Sequence, residues 1–264
     1  MYIFLWGNKK NLAMHFGFWD ENTRNLSDAL INENRYIAEA LDIKKSDKVL
    51  DAGCGVGGTA IWIAENYRAN VTGVTITEKH ISLSKKYANE RGVSDLTKFE
   101  LKDFCDTGFP SGSFDKIYGI ESICYAVDKY DFLKEAFRLL RKGGKLIVCD
   151  GFLSDREFTK GEQKYYDDLC LGWALPSLAF QSEFHDDLNK AGFSNVRFLE
   201  ANQKIHKSSE EMYKSSRLIH PVVTLMGKMH LTSKANVLAE LACKAQYHMF
   251  EEGVGVYGIF TAQK

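Results

Sequence analysis

The chain has 264 residues, 45% of them hydrophobic, with three prolines, which is enough for one large domain with insertions or at most two small ones. A net charge of −1 and a pI near 6.7 exclude a general attraction to nucleic acid or to an anionic membrane, so the expected partner is a small molecule. Six cysteines at 54, 105, 124, 149, 170 and 243 form no C-x-x-C pair, which excludes a zinc ribbon or a disulfide framework and points to reduced thiols in the cytoplasm.

Met1 to Trp6 is apolar but too short for a signal segment, and no later apolar run approaches the roughly 18 residues that a membrane span needs. Met14-His15-Phe16-Gly17-Phe18-Trp19-Asp20 then packs three aromatics and a histidine around a glycine. Helical spacing of apolar residues predicts helices near 27–41, 58–67, 78–91, 129–141, 181–191 and 233–250. β-prone runs predict strands at 48–51, 70–75, 97–101, 114–120, 144–150, 195–201 and 254–262. Gly143-Gly144 and Ala191-Gly192 end helices and lead into strands. The alternation of strand and helix predicts an α/β fold with a parallel sheet covered on both faces. Residues 1–26, 152–180 and 204–250 fall outside these units and are expected above the carboxyl ends of the strands, where such folds place ligands. No repeat or linker divides the chain, so 1–264 reads as a single domain, with a core at about 27–203 plus 252–264 and a lid made of those three segments.

Asp51-Ala52-Gly53-Cys54-Gly55-Val56-Gly57-Gly58 joins a strand to a helix through a glycine turn. Glycines admit left-handed backbone and leave no Cβ between the chain and a ligand, so the turn predicts a nucleoside cofactor cradle. Residues 53, 55 and 58 also satisfy G-x-G-x-x-G, which keeps a dinucleotide site open. Against it, the second strand runs into Thr75-Ile76-Thr77 and lacks the acid that would hold a dinucleotide ribose. Asp51 would repel a pyrophosphate but suits the ammonium of a cofactor that carries an amino acid. Glu121 interrupts the apolar end of the fourth strand, where a carboxylate is costly unless it binds something or moves a proton.

D-x-G-C-G-x-G resembles motif I of the class I S-adenosylmethionine (SAM) methyltransferases. That resemblance implies a Rossmann-like seven-stranded sheet of order 3-2-1-4-5-7-6, with strand 7 antiparallel and a helical lid above it. It implies SAM as cofactor and no metal. Asp51 with the backbone of Gly53, Cys54, Gly55 and Gly57 would hold the methionine part. The ribose would meet Thr75, Ile76 and His80, in a segment similar to that of the mycolic acid cyclopropane synthases and tocopherol methyltransferases, with Thr75 where an acid is commoner and His80 in place of a glutamine. Asp103 and Phe104 resemble the pair that contacts adenine. Residues 118–128 resemble the sterol side-chain and geranyl diphosphate C-methyltransferases, which carry an acid under the substrate. The same families have a His-Phe-Gly-Tyr-Trp-like element where this chain has residues 15–19, which places Trp19 against the cofactor.

The function expected from the resemblance is C-methylation of a partly apolar isoprenoid, sterol or quinol, with Glu121 as base or cation stabiliser, helped by His15 and Tyr125. Cys170 to Ser177 and Leu218 to Met229 supply an apolar lid. In the alternative role Glu121 only orders the cofactor loop or the N-terminal segment. N- or O-methylation of an amine, phosphobase or sugar-bearing metabolite is the second expectation, in which Lys204, His206, Lys207, Lys214 and Arg217 would bind a phosphate.

Overall fold

In a computed structural model of the chain, residues 11–229 and 231–264 are described, and the apolar stretch from Met1 to Trp6 lies outside the described residues. Helix α1 (Leu26–Ala40) starts where Asn25 accepts from the Asp28 N–H, and it buries Ala29, Leu30, Glu33, Asn34 and Ile37 along one side. Strand β1 (Lys48–Ala52) enters the core at once, with Val49 to Ala52 all buried. α2 (Gly58–Tyr67), β2 (Asn70–Thr75), α3 (Glu78–Glu90), β3 (Thr97–Leu101), β4 (Phe114–Ile120) and α4 (Lys129–Leu139) follow the expected order with ends shifted by a few residues. β5 (Leu140–Leu153) is longer than expected at both ends. Its register with β7 (Gly255–Gln263) runs from Lys145↔Gln263 to Leu153↔Gly255, which carries it beyond Asp150.

The seven strands form one sheet of order β3-β2-β1-β4-β5-β7-β6, where β6 is Ser194–Glu200. β1 pairs in parallel with β2 and β4, while β7 runs antiparallel to β5 and β6. The class I methyltransferase sheet is therefore present as expected. Its order reverses between β1 and β4, so the crevice lies where Asp51 ends β1 and Glu121 follows β4. One apolar cluster on each face holds the helices to the sheet.

Two helices in the lid segments were not among those expected. α5 (Lys160–Trp173) opens with a capping box formed by Thr159 and Glu162, a spacing that is readable in the sequence. α6 (Gln181–Lys190) precedes β6, and α7 (Asn202–Lys228) follows it, running through Pro221. α8 (Lys234–Glu251) packs against both α5 and α7. Leu169, Leu178, Ala242, Ala245 and Met249 give this layer its own apolar cluster.

The approach of α5 to α8 is close because Gly172 has no side chain: a Cβ there would meet Ala242 Cβ and the Leu238 carbonyl, both at 2.5 Å. Overpacking of this kind costs about 1–3 kcal/mol. Gly172→Val is expected to lower the melting temperature by roughly 2–12 °C in a calorimetric scan, because each kcal/mol moves a domain of this size by about 2–4 °C.

Candidate functional site

The cradle is built by three glycines in left-handed backbone, Gly53 (φ +95°), Gly55 (φ +50°) and Gly57 (φ +84°). The Gly53 and Cys54 N–H groups both donate to the Val74 carbonyl, at 3.0 and 2.9 Å, which ties the turn to β2. A Cβ on Gly53 would overlap Ser122, and one on Gly57 would meet the Phe99 ring at 2.9 Å. At Gly55 the missing Cβ leaves space in which only the Met14 sulfur comes near, at 3.5 Å. That opening is a cradle which a side chain would fill. Burial pushes the Cys54 thiol far up, so it serves as wall and not as nucleophile.

The turn faces a cavity of about 560 Å³, within the range of small-molecule sites. Of the residues expected at the cofactor, Asp51, Gly53, Cys54, Gly55, Thr75, Ile76, His80 and Phe104 line it. Thr75 is buried and its hydroxyl accepts from the Thr77 N–H at 3.3 Å, while Ile76 is largely exposed at the rim. Burial, and next the Lys79 charge, lower the His80 imidazole below its ordinary range, which favours the neutral ring. Phe104 is braced edge-on by Phe132, with ring centroids 5.6 Å apart. Asp51 is 4% exposed, and burial pushes its carboxyl up to about 7, with the Tyr118 hydroxyl and the His15 charge working against the rise.

Three expected cofactor residues stand outside this lining. Gly57 shapes the turn from behind, against Phe99. Asp103 sits on the exposed turn after β3, where its Oδ1 accepts from the Cys105 N–H at 2.8 Å. Trp19 is the third: its indole N–H donates to Ser208 on α7 at 2.8 Å, and Lys207 Nζ lies 3.9 Å from its ring centroid.

A second cavity of about 140 Å³ lies between the sheet and the lid. Met14, His15, Glu121, Tyr125 and Trp173 line both spaces and form the partition between them. The three residues expected to be catalytic are thus brought together at one wall. Glu121 adopts a left-handed backbone (φ +47°), a strained state for a glutamate, and its N–H donates to the Cys149 carbonyl at 2.8 Å. Its Oε1 accepts from the Phe16 N–H at 2.7 Å and from the Tyr257 hydroxyl at 3.0 Å. Glu121 therefore does tether the N-terminal segment. Tyr125 is 48% exposed, and burial of the rest raises its phenol well above the ordinary range.

The Tyr257 hydroxyl also lies 2.9 Å from Glu33 Oε1, so one hydroxyl proton is shared between two carboxyl groups. Glu33 Oε2 is 2.8 Å from His15 Nδ1, which also lies 2.6 Å from the Phe16 carbonyl. Burial, reinforced by the neighbouring Glu33 charge, pushes the Glu121 carboxyl up to about 8, against the pull of His15 and the Phe16 N–H. For His15, burial works downward, but Glu33 and then Glu121 outweigh it and raise the imidazole to about 9. His15 Nε2 is buried without a hydrogen-bond partner among the described residues, on a side chain that lines both cavities. Glu33, Tyr257 and the buried Asp150 were missed from the sequence. Glu33 was legible, because it stands three and four places from Leu30 and Ala29 on the buried stripe of α1.

Lys204, His206, Lys207, Lys214 and Arg217 line neither cavity. His206 is 3.0 Å from Glu251, Lys214 is 2.7 Å from Glu210, and Arg217 lies over the Tyr213 ring at 5.9 Å. They form no phosphate clamp at the partition.

A mostly parallel sheet with its switch point at a glycine cradle and a buried aspartate is the frame of a nucleoside-cofactor-binding fold. Residues 50–148 match the family model described as Methyltransferase domain, so the chain carries a class I, SAM-dependent methyltransferase domain. It is 33% identical over 149 residues (56% of this chain, 53% of the other) to 27-O-demethylrifamycin SV methyltransferase of Amycolatopsis mediterranei. It is 32% identical over 180 residues (67% of this chain, 48% of the other) to sterol 24-C-methyltransferase of Pneumocystis carinii. The chain spans about half the length of these curated relatives. Among solved structures, the cyclopropane synthase MmaA2 from Mycobacterium tuberculosis shares the fold with a TM-score of 0.82 at 16% identity, over 97% of this chain and 91% of that one.

Asp51 is expected to meet the ammonium of SAM in its ionised form, and burial opposes that ionisation until the pH rises through about 7. SAM affinity measured by isothermal titration calorimetry is therefore expected to fall as pH drops below 7, approaching about tenfold per pH unit. Asp51→Asn is expected to bind about 10–150-fold more weakly at pH 8 and to lose this pH dependence.

Proposed function

We propose that the chain methylates an apolar small molecule of the isoprenoid, sterol or quinol type, with carbon as the receiving atom and Glu121 as the group that takes the proton or steadies the cation. The observation that carries this reading is the position of Glu121 at the wall shared by the cofactor cavity and the cavity under the lid. SAM supplies an electrophilic methyl group on a sulfonium. The chain's own residues must align the acceptor and deal with the charge left behind.

When an alkene or electron-rich ring carbon gains a methyl group, its π pair forms the new C–C bond and a cation remains. A neighbouring C–H bond then breaks, its pair restores the double bond, and the proton leaves. Glu121 suits that proton because Phe16 N–H and Tyr257 OH both donate to Oε1, which leaves Oε2 as its second acceptor. At rest its raised carboxyl holds a proton at neutral pH. A cation beside it favours the ionised form, so Glu121 becomes a base when the site is charged with cofactor.

Phe152, Leu169, Leu175, Leu178, Met249 and Phe250 make the smaller cavity largely apolar, and no Lys or Arg lines it among the described residues. That supports an uncharged apolar acceptor over a phosphorylated one. One observation favours a second reading, transfer to oxygen. His15 Nε2 lacks a partner beside Glu121, and an acceptor hydroxyl would fit both by accepting from the imidazole and donating to the carboxylate.

Glu121→Gln is expected to keep SAM affinity within about twofold and to lower kcat by about 10²–10⁴. With SAM saturating, kcat/KM for the acceptor rises with pH through a limb that lies below about 8, because the cofactor's charge favours the carboxylate, and this limb disappears in the variant. Full turnover in the variant, with intact SAM binding, overturns the role of Glu121. Mass and NMR analysis of the methylated product from a panel of sterols, isoprenoids and quinols separates carbon from oxygen as the receiving atom.

A further inference from the structure

The outer side of α7 carries an apolar surface that the reaction does not use. Leu218 is 81% exposed, Val222 and Leu225 are each 58% exposed, and Met229 is 59% exposed. Their spacing of four, seven and eleven residues from Leu218 places them on one face of the helix. Leu231, just past the helix, continues the patch. The opposite side faces the lid: Val223 is buried, and Gly227 lies against Val237. Packing against α8 therefore leaves this stripe unused.

Charge around the stripe is one-sided. From residue 212 to residue 239 the sequence contains no Asp or Glu, while Lys214, Arg217 and Lys234 fall within it in a protein of net charge −1. Lys214 and Arg217 precede Leu218 by one turn or less, and both are exposed. The Lys214 pair with Glu210 is an exposed i,i+4 contact, which neutralises little.

We infer that this lid face docks on an anionic membrane surface. An exposed apolar stripe with a basic margin is the chemistry that lies in a lipid interface, where side chains enter the acyl boundary and lysines and arginines meet acidic head groups. Among the described residues no helix is long and apolar enough to cross a membrane, which fits a face that rests on the bilayer. A second copy of the chain is the poorer occupant, because a symmetric pairing would bring two like-charged margins together. The position suits acceptor delivery: Met212 on α7 lines the smaller cavity, and Ala235 and Ala239 on α8, just past the patch, line the larger one. This goes beyond the reaction proposed above and stands on the lid surface alone.

The test is flotation of the full chain with phosphatidylcholine vesicles, with and without phosphatidylglycerol. The native protein is expected to float with the anionic vesicles and to be released by high salt. Leu218→Ser/Leu225→Ser and Lys214→Glu/Arg217→Glu are each expected to weaken that partition by at least about tenfold, with unchanged melting temperature and SAM affinity. Absence of flotation, binding that ignores lipid charge, or full binding by the variants overturns the inference. So does a dimer in solution that Leu218→Ser/Leu225→Ser dissolves without any vesicle binding. Because vesicle binding is read without turnover, it fails or stands separately from the role of Glu121.

Discussion

The site depends on carboxyl groups gathered at the carboxyl end of the sheet and kept from water, where burial opposes the ionisation of Asp51, Glu121 and Asp150. Asp51 and Asp150 are buried at the ends of β1 and β5, Glu33 is fully buried on α1, and Glu121 follows β4 between them. Burial moves Asp51 from 3.8 to about 7, which corresponds to roughly 4 kcal/mol of lost preference for the ionised form. Such a cluster persists because Glu33, Glu121 and Asp150 are hydrogen-bonded and because His15 stands among them as a cation. It also makes the site complementary to positive charge, which the SAM cofactor carries on both its ammonium and its sulfonium. Cofactor choice and the protonation state of the partition thus share one electrostatic origin.

The N-terminal segment is part of that arrangement. Phe16 and Phe18 pack edge-on to Tyr257, with centroids 5.8 and 6.2 Å away, and Gly17 fits so tightly on α1 that a Cβ would lie 2.6 Å from Ala29 Cβ. The aromatic element therefore works first by packing. Its fixed position delivers His15 and the Phe16 N–H to the partition. Glu121 receives that N–H, so the same carboxyl that lines both cavities also holds down the segment above it.

The strands and the cradle were legible because they rest on local rules: β-prone apolar runs, glycines where φ is positive, and a carboxylate before the turn; the strand order followed from the resemblance of motif I to a known family. Asp51, Thr75, Ile76, His80 and Phe104 share a cavity because a parallel sheet delivers the loops after β1, β2 and β3 to one edge. The lid was less legible. α7 has charged residues on one side and apolar residues that face outward, so its pattern does not mark a core-facing helix. Trp19 is one residue from the packed aromatics, yet its direction is set by Ser208, nearly two hundred residues away. Tyr257 lies in a continuous apolar strand, and nothing local distinguishes it from a core tyrosine. Pairings of this kind come from tertiary placement, which no short window of sequence contains.

Within the proposed reaction, the raised Glu121 carboxyl also implies an order of events. A carboxyl that holds its proton at neutral pH is a poor base, and ionising it beside Glu33 without compensation would place two negative charges on either side of one tyrosine hydroxyl. His15 already spends its Nδ1 side on Glu33. Further positive charge has to come from the cofactor side of the partition, so Glu121 gains its basicity only when that cavity is filled. Its proton can then leave while the smaller cavity is still open to water, and the apolar acceptor closes the site afterwards. An acceptor that entered first would cover Glu121 in its neutral form and shield it from the solvent that must take its proton. The electrostatics therefore favour cofactor before acceptor.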